Sequence, residues 1–118
     1  MKNKKPTYAI IGASNNPDKY GYKILKHLKE KGYNVIPINL KEKEILELKV
    51  YPKLSKVKEK IDTVIFVVPS SITETVLEDV KELKIKKVWM QPGSESKKAI
   101  EFCKKHKIEC IYNACIMT

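Results

Sequence analysis

The chain contains no arginine, so all 24 of its basic side chains are lysines. That removes the planar guanidinium fork that most often reads guanine edges or grips a phosphate in two places. The lysines are also mixed with acids, as in Lys41-Glu42-Lys43-Glu44 and Lys56-Val57-Lys58-Glu59-Lys60. A net charge of +10 distributed in this way predicts a solvated lysine-rich surface, and nucleic acid is not the expected partner. No apolar run approaches the roughly 20 residues that span a bilayer, so no membrane segment is expected. The amino terminus Met1–Pro6 is basic like the start of a signal peptide, but the apolar stretch after it has only a strand's length and ends in a glycine; secretion is not expected. Cysteine is scarce as well. Cys103, Cys110 and Cys115 are odd in number and lack Cys-x-x-Cys spacing, which excludes a disulfide framework and a zinc site and fits a reducing cytoplasm. The only two histidines, His27 and His106, fall in or at the end of helical segments beside lysines, where exposure is expected, and no carboxylate or serine completes a triad with either.

What is present alternates regularly. With 118 residues the chain has the size of one domain, taken as residues 1–118. Tyr8-Ala9-Ile10-Ile11 reads as a buried strand ending at Gly12, and Ile24, Leu25 and Leu28 then recur at helical spacing until Gly32 supplies a stop. Val35-Ile36-Pro37-Ile38 predicts a second strand, placed at an edge or strand end because Pro37 lacks a ladder donor. The charged stretch from Leu40 to Asp62 predicts a loop with at most a helical turn. Thr63–Val68 is apolar on both faces, as expected of a central parallel strand. Ser71-Ile72-Thr73-Glu74 has the form of a capping box opening a helix that carries Val76, Leu77, Val80 and Leu83. Lys87–Met90, a helix with Ala99, Ile100 and Cys103, and a last strand Glu109–Tyr112 complete the series; Cys103 and Cys110 read as core. This order predicts an α/β, Rossmann-like, doubly wound parallel sheet of about five strands with helices on both faces.

Ligands in such sheets bind at the carboxyl ends of the strands. The loop from Gly12 to Gly21 joins the first strand to the first helix, where unpaired amides and the helix dipole favour an anion. Its candidate cofactor-binding residues are Gly12, Ala13, Ser14, Asn15, Lys19 and Gly21: glycine for close backbone approach, a hydroxyl donor, turn-tolerant asparagine and an ammonium. A sheet that binds NAD usually carries an acid at the end of its second strand to hold the ribose. Here Asn39-Leu40-Lys41, followed by Lys43, replaces it. An amide with nearby ammonium groups suits a phosphorylated ribose, as in NADP or coenzyme A, although two ordinary surface lysines satisfy the same pattern.

Gly12-Ala13-Ser14, Pro17, Lys19-Tyr20-Gly21, Gly32-Tyr33-x-Val35, Pro37-x-Asn39, Tyr51-Pro52, Asp62-x-Val64, Val88-Trp89-x-Gln91-x-Gly93 and Cys115 together resemble the small stand-alone CoA-binding proteins. That family is similar in fold to the amino-terminal CoA-binding domain of the succinyl-CoA synthetase alpha subunit. The resemblance implies coenzyme A or an acyl-CoA as cofactor, with NADP the weaker alternative. It implies that Gly12, Ala13, Ser14 and Lys19 hold the cofactor phosphates and that Asn39 and Lys41 lie near the phosphorylated ribose. Val68, Pro69 and Ser70 would form the turn flanking the nucleotide, and Met90, Gln91 and Pro92 the strand end beside the pantetheine arm. Leu40 departs from the family's usual proline, and Asn113-Ala114-Cys115 from its usual basic residue before the cysteine. Cys115 itself faces the ligand edge, either to meet the CoA thiol or as a small packing residue. The synthetase's phosphorylated histidine belongs to a further domain that this chain does not reach, so ligase activity is not expected to accompany the fold. The expectation is a non-catalytic CoA carrier or acyl-CoA sensor. An NADP-binding redox protein and a lysine-rich module binding nucleic acid or protein are the alternatives, with a homodimer or an unidentified partner protein left open.

Overall fold

The computed structural model describes residues 5–118, so the signal-like reading of the first four residues lies outside it. In chain order the strands are β1 (Thr7–Ile11), β2 (Asn34–Ile38), β3 (Glu44–Ile45), β4 (Leu48–Lys49), β5 (Thr63–Phe66), β6 (Lys87–Met90) and β7 (Glu109–Ile111). The helices are α1 (Tyr20–Glu30), α2 (Ser70–Glu82) and α3 (Lys97–Lys105), with a short 3-10 turn at Leu54–Lys56. Five strands pair in parallel in the order β2-β1-β5-β6-β7, while β3 and β4 form a separate antiparallel pair.

Alternation along the strands divides the core in two. Ala9, Ile11, Val64, Phe66, Val88 and Met90 turn to one face, where Leu77 and Val80 of α2 and Ala99 and Cys103 of α3 cover them. Ile10, Val35 and Ile65 turn to the other, against Ile24, Leu25 and Leu28 of α1. Burial on both faces explains why β5 reads as one apolar run. On the α1 side Trp89 of β6 packs in the same cluster as Ile116 and Met117.

Pro37 sits in the edge strand β2, as its missing donor requires. Its carbonyl accepts from Tyr51 N at 3.1 Å on the outer side, and Asn39 N donates to Tyr51 O at 3.0 Å, so Tyr51 and Pro52 are drawn alongside the end of β2.

Four expectations need correction. The stretch 40–62 is not merely loop: Leu46 and Glu47, at φ 51° and 66°, make the tight turn of the β3–β4 hairpin. Such turns favour Asn-Gly or Gly-Gly, so the sequence carried no hairpin signal. The capping box at Ser71 does not form, because α2 begins one residue earlier, with Pro69 as its N-cap and no side-chain cap. Glu74 instead accepts from Ser96 Oγ at 2.7 Å. The strands β5 and β7 end at Phe66 and Ile111, short of Val68 and Tyr112. Finally, Cys110 is only half-buried, as are both histidines, while Cys103 is core. The Cys103 thiol, beside Cys110 and buried, is held well above the ordinary thiol range and is no nucleophile.

Candidate functional site

The strand order reverses between β1 and β5: from β1 the chain runs outward to β2, then returns across β1 to begin β5. The loops leaving these two neighbours go to opposite faces of the sheet, one into α1 and the other into α2, and a crevice opens between them. Gly12, at φ 97°, forms its crest. A Cβ there would collide with the Val67 carbonyl and come within 2.8 Å of Val68 Cγ1. Gly21 is needed for a separate reason, since a Cβ on it would overlap the Gly12 carbonyl oxygen. The start of α1 is thereby pressed directly onto the turn that follows β1.

Neither α1 nor α2 receives a side-chain cap, Lys19 and Pro69 being their N-cap residues. By contrast α3, away from the crevice, is capped by Ser96 Oγ, which accepts from Ala99 N at 3.0 Å. Amides of the first turns of α1 and α2 therefore converge on the crevice with no side chain supplied for them. Ser14 Oγ accepts from Asn16 N at 3.0 Å, which fixes the hydroxyl while leaving its proton to donate outward.

The two asparagines expected at the site do structural work. Asn39 Nδ2 donates to Ala13 O at 2.8 Å, and its Oδ1 accepts from Lys41 N at 2.7 Å and Glu42 N at 3.0 Å. Asn15 Nδ2 donates to Glu42 Oε1 at 2.7 Å and to Glu44 O at 3.1 Å. These bonds lock the loop after β2 to the loop after β1 and set where Lys41 stands.

Two cavities flank the crest. The larger, of about 470 Å³, lies between the loop after β2, the 3-10 turn and α2. Gly12, Asn39 and Val68 line it together with the apolar Leu40, Pro52, Ile72 and Val76, and its charged residues are Lys41, Lys53 and Asp79. The smaller, of about 160 Å³, is bounded by Tyr20, Val67, Gln91, Pro92 and Cys115. Val67 and Val68 are adjacent, so one short turn separates the two spaces.

Of the sequence-predicted residues, Gly12, Asn39, Lys41 and Val68 line the larger cavity. Ala13, which is buried, and Ser14 follow Gly12 in the turn, Gly21 packs on the Gly12 carbonyl, Lys19 is the N-cap of α1, and Ser70 is the first residue of α2. Pro69 is exposed at the N-cap. Gln91 and Pro92 line the smaller cavity, whereas the Met90 side chain is fully buried in the core and lines neither. Lys43 is exposed and away from both cavities. Sequence reasoning missed Lys53, which the pairing of Tyr51 with the end of β2 carries to the cleft; the adjoining Tyr51-Pro52 was the only signal. It also missed Ser94, whose buried hydroxyl accepts from Val68 N at 3.0 Å and fixes the turn between the cavities. Among the described residues no group of three His, Cys, Asp or Glu side chains could hold a metal, and no helix is long and apolar enough to cross a membrane.

A family model described as a CoA binding domain matches residues 6–118. The alpha subunit of an ADP-forming acetate–CoA ligase, form II, from Pyrococcus furiosus is 32% identical over 119 residues, covering 92% of this chain and 26% of the relative. An ADP-forming acetate–CoA ligase from Methanocaldococcus jannaschii is 40% identical over 78 residues, 66% of this chain and 11% of the relative. The chain thus spans about a quarter or less of the length of these two relatives. The solved structure of a conserved hypothetical protein from Pyrococcus furiosus superimposes with a TM-score of 0.91 at 39% identity, covering 95% of this chain and 97% of the other. A dinucleotide-forming acetyl-coenzyme A synthetase from Ca. Korarchaeum cryptofilum, solved with phosphate and ADP, gives a TM-score of 0.76 at 28% identity over 91% of this chain and 25% of that one. With residues 6–118 matched by its model, the chain belongs to the CoA-binding domain family, whose cofactor is coenzyme A.

Proposed function

We propose that the chain is a coenzyme A-binding module without chemistry of its own, a carrier or an acyl-CoA sensor working in a reducing, cytoplasmic compartment. The observation that carries this reading is the pair of unlike cavities on the two sides of one anion-friendly turn. Coenzyme A has the matching sequence of parts: a phosphorylated nucleoside, a pyrophosphate and a long thiol arm. In this reading the pyrophosphate rests on Gly12, Ala13 and Ser14 under the first amides of α1, with Lys19 as a nearby charge. The adenine lies against Leu40, Pro52 and Ile72, and the ribose phosphate sits between Lys41 and Lys53. The pantetheine arm crosses Val67 toward Gln91 and Pro92. The acetate–CoA ligases among the relatives support an acyl-CoA as ligand.

Isothermal calorimetry on the purified chain tests this. Saturable binding of CoA is expected, weakened about tenfold by Ser14→Ala through loss of one charge-assisted hydrogen bond, with NADP failing to displace it. No saturable heat with CoA or acetyl-CoA, or tighter binding of NADP, would reject the assignment.

A further inference from the structure

The walls of the smaller cavity are unusually fixed for a surface feature. Gln91 is 5% exposed, and its amide holds the end of the chain with both atoms: Nε2 donates to Cys115 Sγ at 3.2 Å and Oε1 accepts from Ile116 N at 2.8 Å. One residue earlier, Trp89 Nε1 donates to Ala114 O at 2.8 Å. Thr118 N closes back on Cys115 O at 3.1 Å, so the segment from Ala114 to Thr118 is a pinned strap and Cys115 is a fixed part of the wall. Widening the cavity on that side would break hydrogen bonds of a buried amide, each costly to leave unmade.

The size of the space then becomes informative. A cavity of about 160 Å³ is close to the roughly 150 Å³ apolar cavity that accommodates benzene, a molecule of six heavy atoms. The sulfur and two methylenes at the tip of pantetheine amount to three heavy atoms, and an acetyl group adds three more. Resting on the coenzyme A reading above, we propose that this cavity is an acyl-end pocket. It admits the free thiol or an acyl group of about two carbons, and the limit is set jointly by the strap held by Gln91 on one side and Tyr20 on the other. The pocket thereby gives the module a ligand class, CoA and short acyl-CoA, and discriminates by length against longer thioesters.

Calorimetric titration of the unmodified chain with CoA, acetyl-CoA, butyryl-CoA and hexanoyl-CoA at one salt concentration tests the limit. CoA and acetyl-CoA are expected to agree within about threefold, with hexanoyl-CoA weaker by about tenfold or more, the size of effect that overfilling a packed space produces. Affinities that stay level or rise along the series would overturn the pocket assignment while leaving the coenzyme A reading intact. Absence of binding by every member, CoA included, would instead overturn that reading and the pocket with it. Tyr20 is 61% exposed, so Tyr20→Ala removes one wall without disturbing the core. It is expected to bring hexanoyl-CoA to within about threefold of CoA, and an undiminished length penalty in that variant would contradict the assignment.

Discussion

A methyl group added at Gly21 has nowhere to go, because the position its Cβ would take overlaps the backbone carbonyl of Gly12. Gly93 offers the opposite case: its φ is 97°, yet nothing lies within 4 Å of a Cβ there. Gly21→Ala must therefore pry α1 from the turn, an overpacking cost of roughly 1–3 kcal/mol. Gly93→Ala meets only left-handed strain of roughly 1–2 kcal/mol. Both variants are expected to melt earlier by thermal denaturation, but only Gly21→Ala should also lose CoA affinity by calorimetry. Equal affinity in the two would show that the seating of α1 does not matter to the site. The role of Gly12 was legible from its place after an apolar strand. That of Gly21 was not, since its partner is nine residues away across a loop whose path no local pattern reveals. Asn15 and Lys53 were obscure for the same reason: one is tied to Glu42 and Glu44, the other delivered by the pairing of Tyr51 with β2.

Helices and strands were legible as elements because periods of 3.6 and 2 need only local apolar spacing, and both core faces follow from them. Their ends were less so. All three helices close in the same way, with the second residue past the C-cap bonded back to the third residue from the end: Tyr33 N to Leu28 O, Ile85 N to Val80 O and Ile108 N to Cys103 O. The residue between must be left-handed. In α1 it is Gly32, which the sequence announces; in α2 and α3 it is Lys84 at φ 60° and Lys107 at φ 58°, which it does not. Relief of roughly 1–2 kcal/mol of left-handed strain, less roughly 0.5–1 kcal/mol of extra chain entropy for glycine, predicts that Lys84→Gly and Lys107→Gly each stabilise the fold by up to about 1 kcal/mol. Chemical denaturation measures this directly, and a loss of stability in both would contradict the helix-end geometry. Ser71 misled because Pro69, with its fixed φ, already occupies the N-cap.

On the scale of the whole molecule, a charge of +10 carried by lysines alone gives a diffuse positive field that attracts any polyanion weakly. In the proposed reading, what singles out one ligand is where the fold collects two of those lysines, beside an apolar cleft and across the Val67–Val68 turn from a small space that Cys115 lines. The fold and the glycine turn after β1 could be anticipated from sequence, whereas the second cation and the division into two cavities depend on contacts between segments far apart in the chain. Comparing CoA with its 3′-dephospho form by calorimetry, at low salt and in both the unmodified chain and the Lys41→Ala/Lys53→Ala double variant, tests the central claim most directly. The two lysines acting on the ribose phosphate predict an advantage for CoA of about tenfold, shrinking as salt screens the pair and disappearing in the double variant. Equal affinity for the two compounds in the unmodified chain would contradict it.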